Sequence, residues 1–572
     1  MRRTTGALKS ILFLLALTLL AGPCASAARA ATCGANQREL LVTNKSSQPI
    51  WIGGGGGALR SVCVVDANTS CLANPSTINS STGACMCGTQ SGTLACPGTS
   101  VATGAGSNNG LNCACTQDSD CGTGAGCNTS TDWCYFKLPN PVAHSGAGAF
   151  TWKLARSASP PQPGGWAEFC LDQASVSWNG GSIPSEVWWS GGVAPRTGCD
   201  PDGTNCMTGD CGASPNSDCP TGQAGAPPAS LAEFTLQVQQ NDFYDISVIN
   251  GANVAEMMRP LPGQPVASPS GTTAAYWCKA PGLKAWQGGK CDWDFGKYIG
   301  NVPYPPGTTH SYIPLLLDSS KPCSTANTPT GCPAGYTCSG APGACYLTCT
   351  PGDPNACPGS LQCLQAEGST DHYCQCTRGK DCHGNGYCGN QLIPGLGIFL
   401  QQCGEFAGWW SADDFCAGHP GFVFGPLDCG ASILDGDNSS QTTRASLFAC
   451  AAKGGDSAGN TTSCYNSSTA QTYPSTCCGC ATHDQDDADG LSRFWPKNGT
   501  SKCAAVGDLT ANDPVWDAEI QPWLVNLKRA CPTAYSYPYD DPTSTFQCRG
   551  TGTSNMLGYK VIFMNMPKPA AP

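Results

Sequence analysis

Cysteine decides what this chain can fold into. There are 41 in 572 residues, beside 71 Gly and 45 Pro, and only 12% of the residues are charged. That composition describes a loop-rich scaffold closed by disulfides in an oxidising compartment. The cysteines also repeat. Cys113, Cys115, Cys121 and Cys127 follow C-x-C-x5-C-x5-C, and so do Cys374, Cys376, Cys382 and Cys388. Both copies place Thr after the second cysteine (Thr116, Thr377) and Asp before the third (Asp120, Asp381). Looser relatives are Cys323, Cys332, Cys338 and Cys349, Cys357, Cys363. Metal binding needs open thiolates and a reducing compartment, so small disulfide knots are expected here, with no metal and no cofactor. Residues 52–134 and 323–403 read as two Cys-rich insertions.

The N-terminus agrees with export. Arg2, Arg3 and Lys9 precede the apolar run Ile11 to Leu20, and Ala25-Ser26-Ala27 and Ala28-Arg29-Ala30 offer cleavage sites. Residues 1–30 are expected to be a signal peptide, which makes the protein secreted. Cleavage removes Cys24 and leaves 40 cysteines, an even number that can pair completely. Losing the cations Arg2, Arg3, Lys9 and Arg29 takes the net charge from -11 to -15. Such acidity disfavours nucleic acid and anionic membranes as partners and is compatible with a neutral polysaccharide. A soluble monomer is expected.

Short alternating runs predict β-strands. These are Arg38 to Asn44 and Pro49 to Trp51 as a first pair, then Phe150 to Leu154, Leu231 to Val238, and Tyr559 to Phe563. Strands of this length between turn signals predict an all-β sandwich. One helix is predicted over Pro514 to Ala530, kinked or split by Pro522. In Leu231 to Val238 the apolar face is Phe234, Leu236 and Val238, so Glu233 points the other way. In Phe243 to Val248 the apolar face is Tyr244, Ile246 and Val248, so Asp245 points the other way with Ser247. A short polar link predicts a hairpin, with Glu233 and Asp245 on one face as diagonal neighbours about 7–8 Å apart. Two carboxylates at that distance suit an inverting glycosidase, with Glu233 as acid and Asp245 as base.

Several segments in order resemble one known family. Cys531 to Cys548, CPTAYSYPYDDPTSTFQC, carries a tyrosine-rich stretch and the acids Asp540 and Asp541. Upstream stand RTGCDPDG (Arg196 to Gly203), TGDCG (Thr208 to Gly212), GAPPASLAEF (Gly225 to Phe234), DFYDIS (Asp242 to Ser247), NGANV (Asn250 to Val254) and the Cys477-Cys478 pair. Together they resemble the thaumatin-like proteins, of the pathogenesis-related group 5 type. The resemblance implies a disulfide-rich β-sandwich. It also implies an interdomain cleft lined, in members with glucan-directed activity, by one Arg, one Glu and three Asp. Glu233, Asp245 and Asp540 match the Glu and two of the Asp. Asn250 stands at the remaining Asp position and Gly192 at the Arg position, so the implied cleft is incomplete. Asp541 adjoins it. One family disulfide is missing at both ends, where Ser46 and Met564 stand.

The expectation is a secreted protein that binds β-1,3-glucan or a related wall polysaccharide in this cleft. An endo-β-1,3-glucanase using the same cleft, and a non-catalytic structural or adhesive surface protein, are the alternatives. His483 to Gly490, HDQDDADG, reads as a solvated acidic loop, because Ala488 falls at a ligand position of the calcium-loop order. Trp409 and Trp410, with Phe415 and Phe422, read as packing rather than a sugar platform. Eight Asn-x-Ser/Thr sequons, including Asn44, Asn68 and Asn438, matter only in a glycosylating host.

Overall fold

The computed structural model describes residues 33–269 except 74–76, 80–81, 104–110 and 146–149; then 276–283, 291–295, most of 345–411, and 521–568 except 537–539, 541–543 and 553–554. Short stretches between 302 and 339 and between 423 and 463 are also described. The expected signal peptide, Asp541, Cys477-Cys478, Phe415, Phe422 and His483 to Gly490 lie outside these residues.

Two stacked sheets form an all-β sandwich. Numbered in chain order, its strands are β1 Gln37–Asn44, β2 Ile50–Gly56, β3 Ala143–Ser145, β4 Lys153–Leu154, β5 Trp166–Asp172 and β6 Val187–Arg196. They continue with β7 Leu231–Gln237, β8 Asp242–Ser247, β9 Ala255–Pro260, β10 Ala534–Tyr535, β11 Phe546–Cys548 and β12 Tyr559–Met564. One sheet runs β3-β5-β1-β12-β9. The other runs β4-β2-β6-β7-β8-β10, with β11 also on the outer edge of β8. The final strand β12 closes the first sheet by pairing parallel to β1 and antiparallel to β9.

The predicted pairing of the first two strands is corrected: β1 and β2 belong to different sheets. The reason is the turn between them. Ser46 Oγ donates to Asn44 Oδ1 at 2.7 Å, and Asn44 Nδ2 donates to Gln48 O at 2.8 Å. This local network satisfies the turn's polar groups and carries the chain over the sandwich edge. Around Ser46 and Met564, where the resemblance implies a lost disulfide, hydrogen bonds join the same segments. Lys45 N donates to Phe563 O and Ser47 N to Asn565 Oδ1, both at 2.7 Å.

The core follows from strand alternation. Leu40 and Val42 of β1, Val561 and Phe563 of β12, Ala232, Phe234 and Leu236 of β7, and Tyr244 and Ile246 of β8 are all buried. Trp189 stacks on Phe234 at 4.8 Å, and Tyr244 meets Tyr559 across the sheets at 5.0 Å. Each such side chain contributes about 1.5–3 kcal/mol by leaving water.

Every cysteine among the described residues is disulfide-bonded. The two repeats share one pairing order. The first repeat cysteine joins a partner 17 residues upstream (Cys96–Cys113, Cys357–Cys374). The second joins the fourth (Cys115–Cys127, Cys376–Cys388), and the third joins one downstream (Cys121–Cys134, Cys382–Cys403). In the first repeat the Thr and Asp are structural: the Asp120 carboxylate accepts from Thr116 N and Oγ1, both at 2.8 Å, and closes the turn. The first knot returns to the sandwich so closely that a Cβ on Gly56 would lie 1.7 Å from the Phe136 carbonyl oxygen; only glycine fits. The second knot is tied on by Trp409 and Ala252, which exchange backbone hydrogen bonds at 2.7 and 2.9 Å. Trp409 is 2% exposed and packs on Phe406 and Phe295, so it is core.

The predicted helix is described as α1, Gln521–Ala530. Pro522 is its second described residue, and the predicted part before Gln521 lies outside the described residues. No described helix is long and apolar enough to cross a membrane.

Candidate functional site

The site is built on the outer face of the seven-stranded sheet. Alternation in β7 buries Ala232, Phe234 and Leu236 and leaves Leu231, Glu233 and Thr235 on the opposite face, each partly exposed. In β8 the same rule sends Phe243, Asp245 and Ser247 to that face. The hairpin register corrects one expectation. Glu233 pairs directly with Asp245, Leu231 with Ser247, and Thr235 with Phe243. Directly opposite Cβ atoms lie about 4.5–5.5 Å apart, closer than the diagonal spacing predicted. The link from Val238 to Asn241 sets this register, and its backbone is not read from strand alternation. This register sets both acids side by side on one floor.

The row continues across the sheet as Gly192 of β6 and Gly55 of β2. Gly192, the position at which the resemblance implies an arginine, is the direct cross-strand neighbour of Glu233. A Cβ there would lie 2.6 Å from Leu231 Cδ1, so an apolar side chain occupies the space above it. Burial pushes the Glu233 carboxyl up to about 7, opposed by a hydrogen bond from Ser247, which is itself 5% exposed. Beside them the Ser190 and Thr235 hydroxyls are 3.0 Å apart. Phe243 is the exposed aromatic of this face.

A disulfide-rich lobe, residues 197–229, covers the β2 side of the row. Cys199–Cys206 and Cys211–Cys219 close its two small loops. Thr197 and Thr208, from the two central motifs, bridge each other with their hydroxyls 2.7 Å apart. Arg196 anchors the lobe. It is fully buried and donates to Ile52 O (3.1 Å), Gly203 O (2.8 Å) and Ser217 O (2.9 Å), so one guanidinium joins β2 to two loops. A Cβ on Gly55 would approach Gln223 O at 3.3 Å, which shows how low the lobe sits. Asp218 accepts from Gly54 N at 2.6 Å, yet burial holds its carboxyl at about 7.

The remaining expected residues divide. Asp540 does not line the face. It is fully buried, ion-paired to Lys528 of α1 at 2.7 Å, and accepts from Ser536 N and Oγ at 3.0 and 2.9 Å. A carboxylate in the core needs a cation and donors, and this one has them. Asn250 lies in the turn after β8, at the Ser247 end of the row, where its carbonyl accepts from Ala229 N at 2.8 Å. Of the sequons, Asn44 is buried and Asn68 is exposed on a hairpin tip. Sequence reasoning passed over Leu231 and Asp218. Leu231 shares the parity of Glu233 and was open to the same reasoning, whereas Asp218 sits in a loop with no periodicity to place it.

Comparison with known proteins agrees with this architecture. The thaumatin family model matches residues 175–390. "Thaumatin-like protein 1" of Arabidopsis thaliana is 32% identical over 146 residues, 24% of this chain and 48% of that protein. "Pathogenesis-related protein 5" of the same plant is 46% identical over 85 residues, 14% and 34% of the two. "Thaumatin-like protein PWIR2" of Triticum aestivum is 35% identical over 124 residues, 20% and 66% of the two. The chain thus spans about half or less of the length of the first two relatives. With the motif order, the sandwich and the disulfide lobe, these matches show that the chain belongs to the thaumatin family.

Proposed function

We propose that this protein is secreted and binds a neutral cell-wall polysaccharide, β-1,3-glucan or a close relative, on the face beneath the disulfide lobe. A defence role is part of this reading, drawn from the relative named a pathogenesis-related protein. The observation that carries it is the partly buried Glu233–Asp245 pair, directly opposed on a rigid hairpin and flanked by Ser247, Ser190 and Thr235. Such a floor of hydroxyls and carboxyls suits sugar hydroxyls. Asn250 is read as edging the same floor; Asp541, also expected there, lies outside the described residues. Of the expected insertion 52–134, Ile52 to Gly56 belong to β2 of the sandwich; the remainder of it and 323–403 are read as insertions.

The test is retention on insoluble β-1,3-glucan. The wild-type protein is expected in the pellet, and Glu233→Ala with Asp245→Ala in the supernatant. Retention of the double variant would move the binding to the knots and favour an adhesive surface protein. A second reading, a weak endo-glucanase, is favoured by the Glu233 carboxyl standing near 7, where a general acid works. It requires reducing ends to be released from soluble glucan and the release to vanish in Glu233→Gln.

A further inference from the structure

Two asparagine side chains serve as building parts of the fold, and both stand in acceptor sequences for N-linked sugar. Asn44, in Asn44-Lys45-Ser46, ends β1 and is fully buried. The hydrogens of its Nδ2 are taken by Gln48 O at 2.8 Å and Ala155 O at 3.1 Å. These bonds tie the end of β1 to the turn before β2 and to the residue just after β4. Its Oδ1 accepts from Ser46 N at 2.8 Å and Ser46 Oγ at 2.7 Å. The backbone here is crowded: Gly164 N donates to Asn44 O at 2.7 Å, and a Cβ on Gly164 would lie 2.5 Å from Ala155 O. Asn128, in Asn128-Thr129-Ser130, ends the first-knot strand Ala125–Asn128 and is 6% exposed. Its Oδ1 accepts from Ser130 N at 2.9 Å. Its Nδ2 faces the disulfide lobe, where a Cβ on Gly222 would approach it to 2.9 Å. Asn68, in Asn68-Thr69-Ser70, is the contrast, exposed at the tip of the hairpin formed by Val62–Asp66 and Thr69–Leu72.

N-linked attachment joins Nδ2 to C1 of a sugar, expels the diphosphate of the sugar donor and removes one amide proton. At Asn44 this leaves Gln48 O or Ala155 O without its donor and sets a sugar ring where backbone is already packed. At Asn128 the ring lands between the first knot and the lobe. At Asn68 it projects into solvent.

We propose that Asn44 and Asn128 are acceptor sequences that the fold closes, that Asn68 is one it leaves open, and that the chain is made by an export route that adds no N-linked sugar before folding. The acceptor assignment stands on geometry alone, whereas the route rests on the secreted reading above. Timing joins the two. The Ala155 carbonyl that holds the Asn44 amide is made 111 residues later, so a transferase acting during synthesis meets Asn44 before the fold can shield it.

The test has two independent arms, both on the whole chain. In the first, purified protein is treated with a soluble N-glucosyltransferase and a nucleotide-diphosphate glucose, either folded or after reduction and unfolding. Peptide mass mapping of the folded protein should find hexose on Asn68 and none on Asn44 or Asn128. The unfolded chain should take hexose at all three. After oxidative refolding, occupancy of Asn44 and Asn128 in the native fraction should be about tenfold or more below that in the misfolded fraction. Equal occupancy in the two fractions overturns the closed acceptors, and folded protein without hexose on Asn68 overturns the open one. In the second arm, the chain is expressed with its own N-terminus in a eukaryotic secretory host. Ser46→Ala with Ser130→Ala deletes both closed acceptor sequences and keeps the asparagines and the backbone donors to them. Its secreted yield should exceed that of the wild type about tenfold. Equal secreted yields overturn the route. A wild-type chain that stays in the cytosol overturns the secreted reading, while the first arm still decides the acceptors.

Discussion

Asp242 and Asp245 lie on the same strand within one short motif, and strand parity sends them to opposite faces of the sheet. Asp242 points inward. There it meets both Arg38 guanidinium nitrogens and accepts from Tyr559 OH at 2.7 Å and Gln237 N at 2.8 Å. Arg38 and Asp242 are both fully buried, and Arg38 also donates to Leu557 O at 2.8 Å. Asp245 points outward and faces another acid. The inward acid has its charge matched by a cation and donors, so it fixes the two sheets against each other. The outward acid stands beside Glu233 on the partly exposed outer face of the sheet. The same residue type thus serves architecture on one face and, in the function proposed above, recognition on the other, and only its neighbours distinguish the two.

The contrast can be broken first at the architectural acid. Arg38→Met leaves Asp242 buried beside no cation and should cost about 3–5 kcal/mol in urea unfolding. Lys528→Met should act in the same way on Asp540, with a similar loss, and Lys528→Met with Asp540→Leu should recover much of it. Recovery would show that the penalty is the orphaned charge and not the lost pair.

The outer-face acid Glu233 should respond to pH with the opposite preference. Glu233 in the folded chain holds its proton up to about 7, above the ordinary glutamate value. Between those two pH values the folded state binds more protons than the unfolded state, so stability falls as pH rises through this window. The fall is bounded by about 3 kcal/mol. Glu233→Gln should remove this slope and be more stable than wild type above neutrality, measured as melting temperature against pH. At the small end stands Gly192→Ala. Its Cβ would meet Leu231 Cδ1 at 2.6 Å, Leu231 Cγ at 2.9 Å and the Ala232 carbonyl oxygen at 3.2 Å, so Leu231 must turn aside and a loss of about 1 kcal/mol is expected. A larger loss would mean that Leu231 cannot turn aside.

Much of this was readable in the sequence, for reasons specific to each element. Alternation in β7 and β8 placed Glu233 and Asp245 on one face because a half-buried strand has period two. The separate motifs gave the family because their order survives the Cys-rich segments between them. The hairpin register was not readable, since it is set in the backbone of Val238 to Asn241. Asp540 was misplaced because its cation, Lys528, comes from a helix whose docking no local pattern announces. The separation of β1 from β2 depends on side-chain hydrogen bonds inside a tight turn, and turn residues alone do not say which way a chain exits. The glycine tract Gly53 to Gly57 gave no signal of its purpose. The structure shows it threaded between the Phe136–Leu138 return of the first knot and the lobe, with no space for side chains at Gly54 and Gly56.

The disulfides carry a consequence for how the molecule is made. Pairs within the knots span 12 to 22 residues, so they can close as soon as each segment emerges. Cys278 and Cys291 are different, because their partners Cys548 and Cys531 lie 270 and 240 residues later. At ordinary synthesis speeds these two thiols wait roughly tens of seconds or more while later cysteines pass by. Among the described residues, the intervening cysteines Cys345 to Cys403 pair within 12 to 21 residues, which removes them as competitors. The repeats then act as a timetable for oxidation, leaving the long-range bonds to close last around a sandwich that only the final strand completes.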